Sequence, residues 1–142
     1  MIVELYKGYW TRDEVQAQPN KVFLFGDNTK DRLITKHIPM TTQAVIRGLK
    51  NSIGIDTKKN RYKNPDSYFS DDDFETFKIQ VDAAIKQAID SGKIIVLPED
   101  GIGTGKAMLE TKAPKLFKYL MQQMFKLIDL NFDEIIAKNN IK

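Results

Sequence analysis

The sequence predicts an α/β protein of three layers, in which helices flank a mixed or mostly parallel sheet. Two short segments, 21–25 and 93–97, are nearly continuous runs of Val, Ile, Leu and Phe residues, a pattern typical of buried parallel strands. Segments with helical periodicity alternate with them along the 142 residues. No linker, repeat or shift in composition divides the chain, so we expect a single domain over residues 1–142.

The first half of the chain is predicted to begin with a strand and then to alternate short helices and strands. Thr11 and Glu14 have the spacing of a capping box, which indicates the start of a short helix. Thr41 or Thr42 is in position to cap a second helix. The predicted elements are a first or edge strand over 1–6, a helix over 11–18, a strand over 21–25, a helix over 42–50 and a strand over 52–55.

The second half contains the clearest periodic pattern of the sequence. A helix over 71–92, capped by Ser70 or Asp71 and ended by Gly92, precedes the strand 93–97. A long helix is predicted after the glycines at 101–105, and the tail 133–142 is either a strand or a short helix. The residues predicted to face the core are Phe74, Phe77, Val81, Ala84, Ile85, Ala88 and Ile89 in the first helix, and Leu116, Phe117, Leu120, Met124, Leu127 and Ile128 in the second.

Composition excludes several classes of protein. No apolar run approaches the roughly 20 residues of a membrane span, and the first residues lack the layout of a signal peptide, so we expect no membrane contact and a cytoplasmic location. The absence of cysteine excludes disulfides, thiolate metal sites and a cysteine nucleophile. His37 is the only histidine, and the sequence supports neither a Ser-His-Asp arrangement nor a histidine metal cluster. We therefore predict no metal and no cofactor, and we expect His37 to be exposed in a loop.

The segment "VLPEDGIGTGKAMLE", residues 96–110, predicts an anion site between a strand and a helix. A Walker A loop fails here, because Asp100 stands where its first glycine belongs and Ala107 follows the lysine. A dinucleotide fingerprint fails too, because the glycines are spaced G-x-G-x-G and residues 111–128 contain no acid. Backbone amides of residues 101–105 could converge on a phosphate, helped by the following helix. The alternative is a tight turn in which the glycines supply only unusual dihedral angles.

A resemblance to a known family is carried by "VFLFGDN", "TTQAVIRG", "NSIGIDTKK" and "YFSDDDF" together with the late "GIGTG". The chain resembles, over residues 21–120, a family of small uncharacterised phage and bacterial proteins with F-G-D-N and G-I-G-T-G motifs. It departs from that family at Thr41-Thr42, where the family has two glycines, and at Asp56, where the family has proline. The glycine segment is also similar to the phosphate-binding loop of macrodomains. That similarity implies a macrodomain-like fold and a ligand such as ADP-ribose.

Polar residues near the strand ends are the candidates for the site. Asp27 and Asn28 follow a buried strand, where they could bind a ribose or base edge or could instead cap a turn. Arg47 could hold a pyrophosphate or form an ion pair. Asp100 is the candidate general base, with Asp27 as the second candidate. The full prediction is Asp100 and Asp27 as catalytic residues and Gly26, Asn28, Gln43, Arg47, Gly101, Ile102, Gly103, Thr104 and Gly105 as ligand-binding residues.

The expected function is the binding of ADP-ribose or a related phosphate-containing metabolite, with hydrolysis of an ADP-ribosyl or phosphoester bond as an open extension. One alternative is a non-enzymatic phage or bacterial accessory protein that sequesters a nucleotide signal or binds a host protein; if the gene is phage-borne, the expected compartment is the host cytoplasm. A weaker alternative is nucleic-acid binding through the basic loop 58–63, in which Lys58 is expected to be solvated.

Overall fold

The fold is described by a computed structural model, which covers residues 2–33 and 43–140. Four strands form one sheet in the order β1-β4-β2-β3, and each pair of neighbours is parallel. The prediction of an α/β fold with a parallel sheet is therefore confirmed. The strands are β1 (Val3–Tyr6), β2 (Lys21–Asn28), β3 (Ser52–Lys58) and β4 (Ile94–Pro98), and the helices are α1 (Arg12–Gln16), α2 (Phe74–Asp90), α3 (Leu109–Lys112) and α4 (Pro114–Asn140).

Helical elements cover both faces of the sheet, which gives the three predicted layers. Side chains of a strand alternate between the two faces, and in β2 Leu24 packs against α2 and α4 whereas Phe25 packs on the opposite side. That opposite side is covered by α1 and by a short 3₁₀ turn, Gln43–Ile46. Because each face is covered, the central strands are almost continuously apolar, as the sequence indicated.

Helix α2 largely follows its predicted apolar stripe. Ser70 and Asp73 form a capping box, and a 3₁₀ turn over Asp71–Asp73 leads into the helix. Gly92 follows it with φ +68°, the left-handed conformation typical of a helix end. Ile89 was predicted to face the core but is 43% exposed. The buried members of the stripe are Phe77, Val81, Ala84 and Ala88.

The predicted helix over 42–50 is wrong, because only the 3₁₀ turn Gln43–Ile46 forms there. Gly48 adopts φ +85°, which ends any helical course. The Arg12 guanidinium binds the carbonyls of Val45 and Arg47 at 2.9 and 2.7 Å, so these carbonyls are satisfied without a further helical turn. Thr41, Thr42 and His37 lie outside the described residues.

Other boundaries also differ from the prediction. Residues 133–140 continue α4 and form no separate strand. Strands β2 and β3 each run three residues further than predicted, to Asn28 and Lys58. The last residues of both strands are therefore polar. Because the sheet is parallel, these ends and the end of β4 meet at one edge, which we call the carboxyl edge.

None of the helices in the described part of the chain combines the length and the apolar character needed to span a bilayer.

Candidate functional site

The glycine loop, residues 99–108, leaves β4 at the carboxyl edge. Gly101 and Gly103 have φ of +86° and +83°, and Ile102 between them has a negative φ. Such alternation turns successive backbone N–H groups toward the same side and forms an anion-binding concavity. At Gly103 a Cβ atom would also lie 2.9 Å from a methyl carbon of Leu109. Both glycines are thus required by the shape of the loop.

The loop presents a run of unpaired donors. The N–H groups of residues 102–107 meet no acceptor among the described residues, whereas the N–H groups just outside this run are paired. Gly101 donates to the Pro98 carbonyl and Met108 to the Gly105 carbonyl, each at 3.0 Å. Backbone donors in folded proteins are almost always satisfied by protein, water or ligand. The acceptors of this run therefore lie outside the described protein groups.

Gln43 fastens the glycine loop to the end of β2. Its side-chain oxygen accepts from the Gly26 N–H at 2.9 Å, and its side-chain nitrogen donates to the Gly101 carbonyl at 2.8 Å. Ile102 is fully buried and packs over Gly26, where a Cβ atom would come within 3.4 Å of its methyl group. The structure thus brings these four predicted ligand-binding residues together, and the contacts of Gln43, Gly26 and Ile102 hold the loop in place.

Asp27 and Arg47 form a buried ion pair on the other face of the sheet. Arg47 Nε donates to the two carboxylate oxygens of Asp27 at 2.9 and 3.1 Å, and Nη2 binds the same carboxylate. The two side chains are only 3% and 12% exposed. The Asp27 carboxylate also accepts from the Asn28 N–H at 2.8 Å. Asp27 is therefore already engaged by internal donors, and its catalytic role stays a prediction.

Asn28 caps the turn that follows β2. Its side chain exchanges hydrogen bonds with Asp31, accepting from the backbone N–H at 2.8 Å and donating to the carboxylate at 3.0 Å. Arg61 donates to the same carboxylate at 2.9 Å. Burial alone would raise the pKa of Asp31, but the hydrogen bond from Asn28 and the contact with Arg61 outweigh it and lower the pKa. The turn-cap interpretation of Asn28 accounts for all of these contacts.

Lys58 ends β3 beside the glycine loop and is buried, so its interpretation as a solvated loop residue is wrong. Its ammonium group donates to the Tyr62 carbonyl at 2.7 Å and lies 4.6 Å from the centre of the Tyr68 ring. The Lys112 ammonium lies 5.2 Å from the same ring. Burial, followed by the charges of Lys63 and Lys106, lowers the pKa of Lys58. We call Lys58, Lys63, Lys106 and Lys112 the lysine cluster.

The lysine cluster lacks compensating negative charge. In the described residues, no carboxylate comes within 4 Å of any of its four ammonium groups. The other cations of the basic loop differ, since Arg61 pairs with Asp31 at 2.9 Å and Lys59 approaches Asp73 at 3.9 Å. Positive charge is therefore concentrated beside the glycine loop. In the loop 58–63, fewer cationic side chains are available to a ligand than its composition indicates, because Arg61 and Lys59 have carboxylate partners.

Asp100 lies at the start of the glycine loop with an exposed side chain. Its carbonyl accepts from the Thr104 hydroxyl at 2.9 Å, which closes the loop on itself. Its carboxylate takes part in no ion pair with a described residue. Of the two predicted catalytic carboxylates, Asp100 is thus the one that is open to a ligand.

A pocket of about 230 Å³ opens on the face of Asp27 and Arg47. Asp27 and Asp56 are register partners on β2 and β3, so both side chains point to this face. Asp56 is only 5% exposed, and Arg32 Nε lies 3.2 Å from its carboxylate. Burial raises the pKa of Asp56, and Arg32 opposes this effect. We call this cavity the Asp56 pocket.

Neither the place of Asp56 in a site nor the convergence of the lysines was predicted from the sequence. A signal for Asp56 was present, because Asp27 and Asp56 each follow within two residues the last large apolar side chain of their strand, Phe25 and Ile55. The lysine cluster had no such signal, since Lys58, Lys106 and Lys112 belong to separate segments that only the sheet order brings together.

Comparison with known proteins gives one match. No curated protein and no solved structure matches the chain. The macrodomain-like fold therefore stays a prediction, which depends on the glycine loop. The model of a family described as "Family of unknown function (DUF7831)" matches residues 5–123, and because this is well over half of the 142 residues, the chain belongs to that family.

Proposed function

We propose that the chain binds a phosphate-bearing, nucleotide-derived ligand at the carboxyl edge, with phosphate on the glycine loop and the lysine cluster. The observation that carries this proposal is the run of N–H groups at 102–107, which meet no acceptor among the described residues, next to ammonium groups that meet no carboxylate there. A phosphate supplies several acceptor oxygens and negative charge, so it complements both features at once.

The electrostatics of Lys58 support an anion in particular. Its lowered pKa reflects burial and the nearby charges of Lys63 and Lys106, so a bound anion would relieve an unfavourable arrangement. Perturbed pKa values of this kind cluster at functional sites. ADP-ribose is the member of this ligand class that the macrodomain resemblance implies, and it is the first compound to test.

Hydrolysis would depend on Asp100. It stands beside the run of unpaired N–H groups and its carboxylate is exposed, whereas Asp27 is bound by Arg47. In the proposed reaction Asp100 accepts a proton from water as the water oxygen forms a bond to the ribosyl carbon or the phosphorus. The bond from that atom to its leaving group breaks, and the leaving group takes a proton from the protonated Asp100 or from solvent. Replacement of Asp100 by Asn should then leave ligand affinity nearly unchanged and remove product formation.

The experiment is calorimetric titration and thermal shift with pyrophosphate, ADP-ribose and NAD. Binding should raise Tm, because the ligand stabilises the folded state by RT ln(1 + [L]/Kd), which grows with the logarithm of ligand concentration. The double variant Lys106→Gln/Lys112→Gln should weaken pyrophosphate binding about tenfold or more, because two charge-assisted contacts are lost.

The matched control is Lys86→Gln/Lys93→Gln, which removes the same charge from exposed positions on and after α2. It should leave affinity unchanged if the lysine cluster is the site. Failure of every compound to shift Tm at millimolar concentration would contradict the proposal, and so would equal weakening by both double variants.

A further inference from the structure

The Asp56 pocket is a small cavity with polar side chains in its lining. Its volume of about 230 Å³ lies below the roughly 300–1,000 Å³ of sites for drug-sized ligands, so it suits a fragment such as one nucleobase. Gly48 and Gly54 contribute no side chain to its wall. At Gly54 a Cβ atom would stand 3.1 Å from the Phe25 ring and 3.2 Å from the Asp27 carboxylate. A side chain at Gly54 would therefore crowd the Phe25 ring and the Asp27 carboxylate.

Asp56 supplies acceptors at the wall of this pocket. Its carboxylate is more than nine-tenths buried yet lines the cavity. A carboxylate has about four lone-pair sites, and Arg32 and the Thr29 hydroxyl, which both act to lower the pKa of Asp56, take part of that capacity. The backbone of Asp56 is fixed by Gln80, which binds its N–H at 2.9 Å and its carbonyl at 2.6 Å. The remaining acceptor capacity is therefore held in a defined place.

Arg47 supplies a donor to the same pocket. Its Nε and Nη2 groups bind Asp27, whereas Nη1 meets no acceptor in the described residues. The guanidinium is planar and held at two points, so the direction of its remaining N–H groups is fixed. The pocket therefore offers a carboxylate that accepts next to a guanidinium that donates.

We infer that the Asp56 pocket recognises a guanine-type base, one whose edge presents adjacent N–H donors beside an acceptor oxygen. Guanine offers N1–H and the N2 amino group to a carboxylate and O6 to an arginine. Adenine would turn its N1 lone pair toward the same carboxylate, which can only accept. Bases are read elsewhere by such hydrogen bonds to the Watson–Crick edge within a closely fitting pocket.

This inference rests on the proposed function, because it assigns the base end of the same nucleotide-derived ligand. Asp56 and Thr57 are consecutive in β3 and point to opposite faces. Asp56 lines the pocket, and the Thr57 methyl group lies within 3.4 Å of the Cβ position of Gly103 in the glycine loop. The base and phosphate sites therefore lie on opposite faces of the sheet, and a nucleotide that fills both must pass around the ends of β2 and β3. The inference narrows the ligand to guanine nucleotides and away from ADP-ribose.

The test is a titration of the whole chain with GMP, IMP, AMP and pyrophosphate. IMP keeps N1–H and O6 but lacks the N2 amino group, so this series needs no variant. We expect GMP to bind about ten- to hundredfold more tightly than AMP, with IMP between them. Pyrophosphate should bind through the glycine loop alone.

Asp56→Asn should remove the preference for GMP over AMP and leave pyrophosphate binding unchanged, which also shows that the variant is folded. Asp72→Asn, on the exposed turn before α2, is the matched control and should keep the preference. Equal affinity for GMP and AMP in the parent chain would overturn the inference, as would a preference that survives Asp56→Asn. If pyrophosphate binds without base discrimination, the proposed function stands alone; if no compound binds, both fail.

Discussion

At the scale of single residues, Arg47 shows how a motif position can serve the interior of the protein. It lies four residues after Gln43 and was predicted as a residue that could hold a pyrophosphate. In the structure its guanidinium forms three hydrogen bonds to the Asp27 carboxylate. A buried ion pair contributes little net stability, yet loss of one partner leaves an uncompensated charge. The pair therefore fixes the end of β2 more than it stabilises the fold.

Replacement of Arg47 by Met should lower the free energy of unfolding by about 3–5 kcal/mol, because the Asp27 carboxylate would stay buried without a partner. Denaturant unfolding measures this value. The double variant Asp27→Leu/Arg47→Met should recover much of the loss, since no charge is left unpaired.

The control for this prediction is Lys86→Met, which breaks the exposed ion pair with Asp90. Its effect should stay within about 1 kcal/mol. If Arg47→Met were no more damaging than Lys86→Met, the buried pair would have no structural role.

At the scale of elements, the glycine loop contains glycines that its backbone conformation requires and one glycine that it does not require. Gly103 has a left-handed φ and no room for a Cβ atom, whereas Gly105 has neither constraint. Gly103→Ala should therefore destabilise the protein by about 1–3 kcal/mol through backbone strain and the clash with Leu109.

Gly105→Ala is the matched control and should change stability by less than about 1 kcal/mol. Thermal unfolding of both variants compares them directly. Equal costs would show that the loop does not hold the alternating conformation on which the anion site depends.

The elements also show what the sequence could predict. Strands β2 and β4 and helix α2 were found because apolar periodicity is local and each element carries it alone. The turn at Gln43–Ile46 was not found, because its end is set by Gly48 and by Arg12, which lies far away in the sequence. The same holds for Lys58, whose burial depends on Tyr62 and Tyr68.

At the scale of the whole molecule, the order of the strands decides which residues meet. Sequence periodicity does not give that order, so the sequence predicted polar strand ends without showing which of them are neighbours. With β2 between β4 and β3, the glycine loop passes over Gly26 toward Thr57, and Asp27 pairs in register with Asp56. The strand order therefore creates the candidate site, and the polar groups of the site come from four separate segments of the chain.

The pH dependence of folding should reveal two buried carboxyls at the carboxyl edge that act in opposite directions. The pKa of Asp31 is lowered in the folded state, so this residue stabilises the fold above its ordinary pKa of 3.8, and the contribution is lost as pH falls through the lowered value. The pKa of Asp56 is raised, so its contribution is present below its ordinary value and is lost as pH rises through the raised value.

Denaturant unfolding of Asp31→Asn and Asp56→Asn between about pH 2.5 and 7 separates these effects, with each variant compared with the parent chain at the same pH. The deficit of Asp31→Asn should grow as pH rises, because the variant cannot gain the ion pair with Arg61. The stability of Asp56→Asn relative to the parent should instead improve as pH rises, because the parent must then bury an ionised carboxylate. If the free energy of unfolding relative to the parent changed with pH in the same direction for both variants, the assignment would be wrong. The fold would then favour the same protonation state at Asp31 and at Asp56.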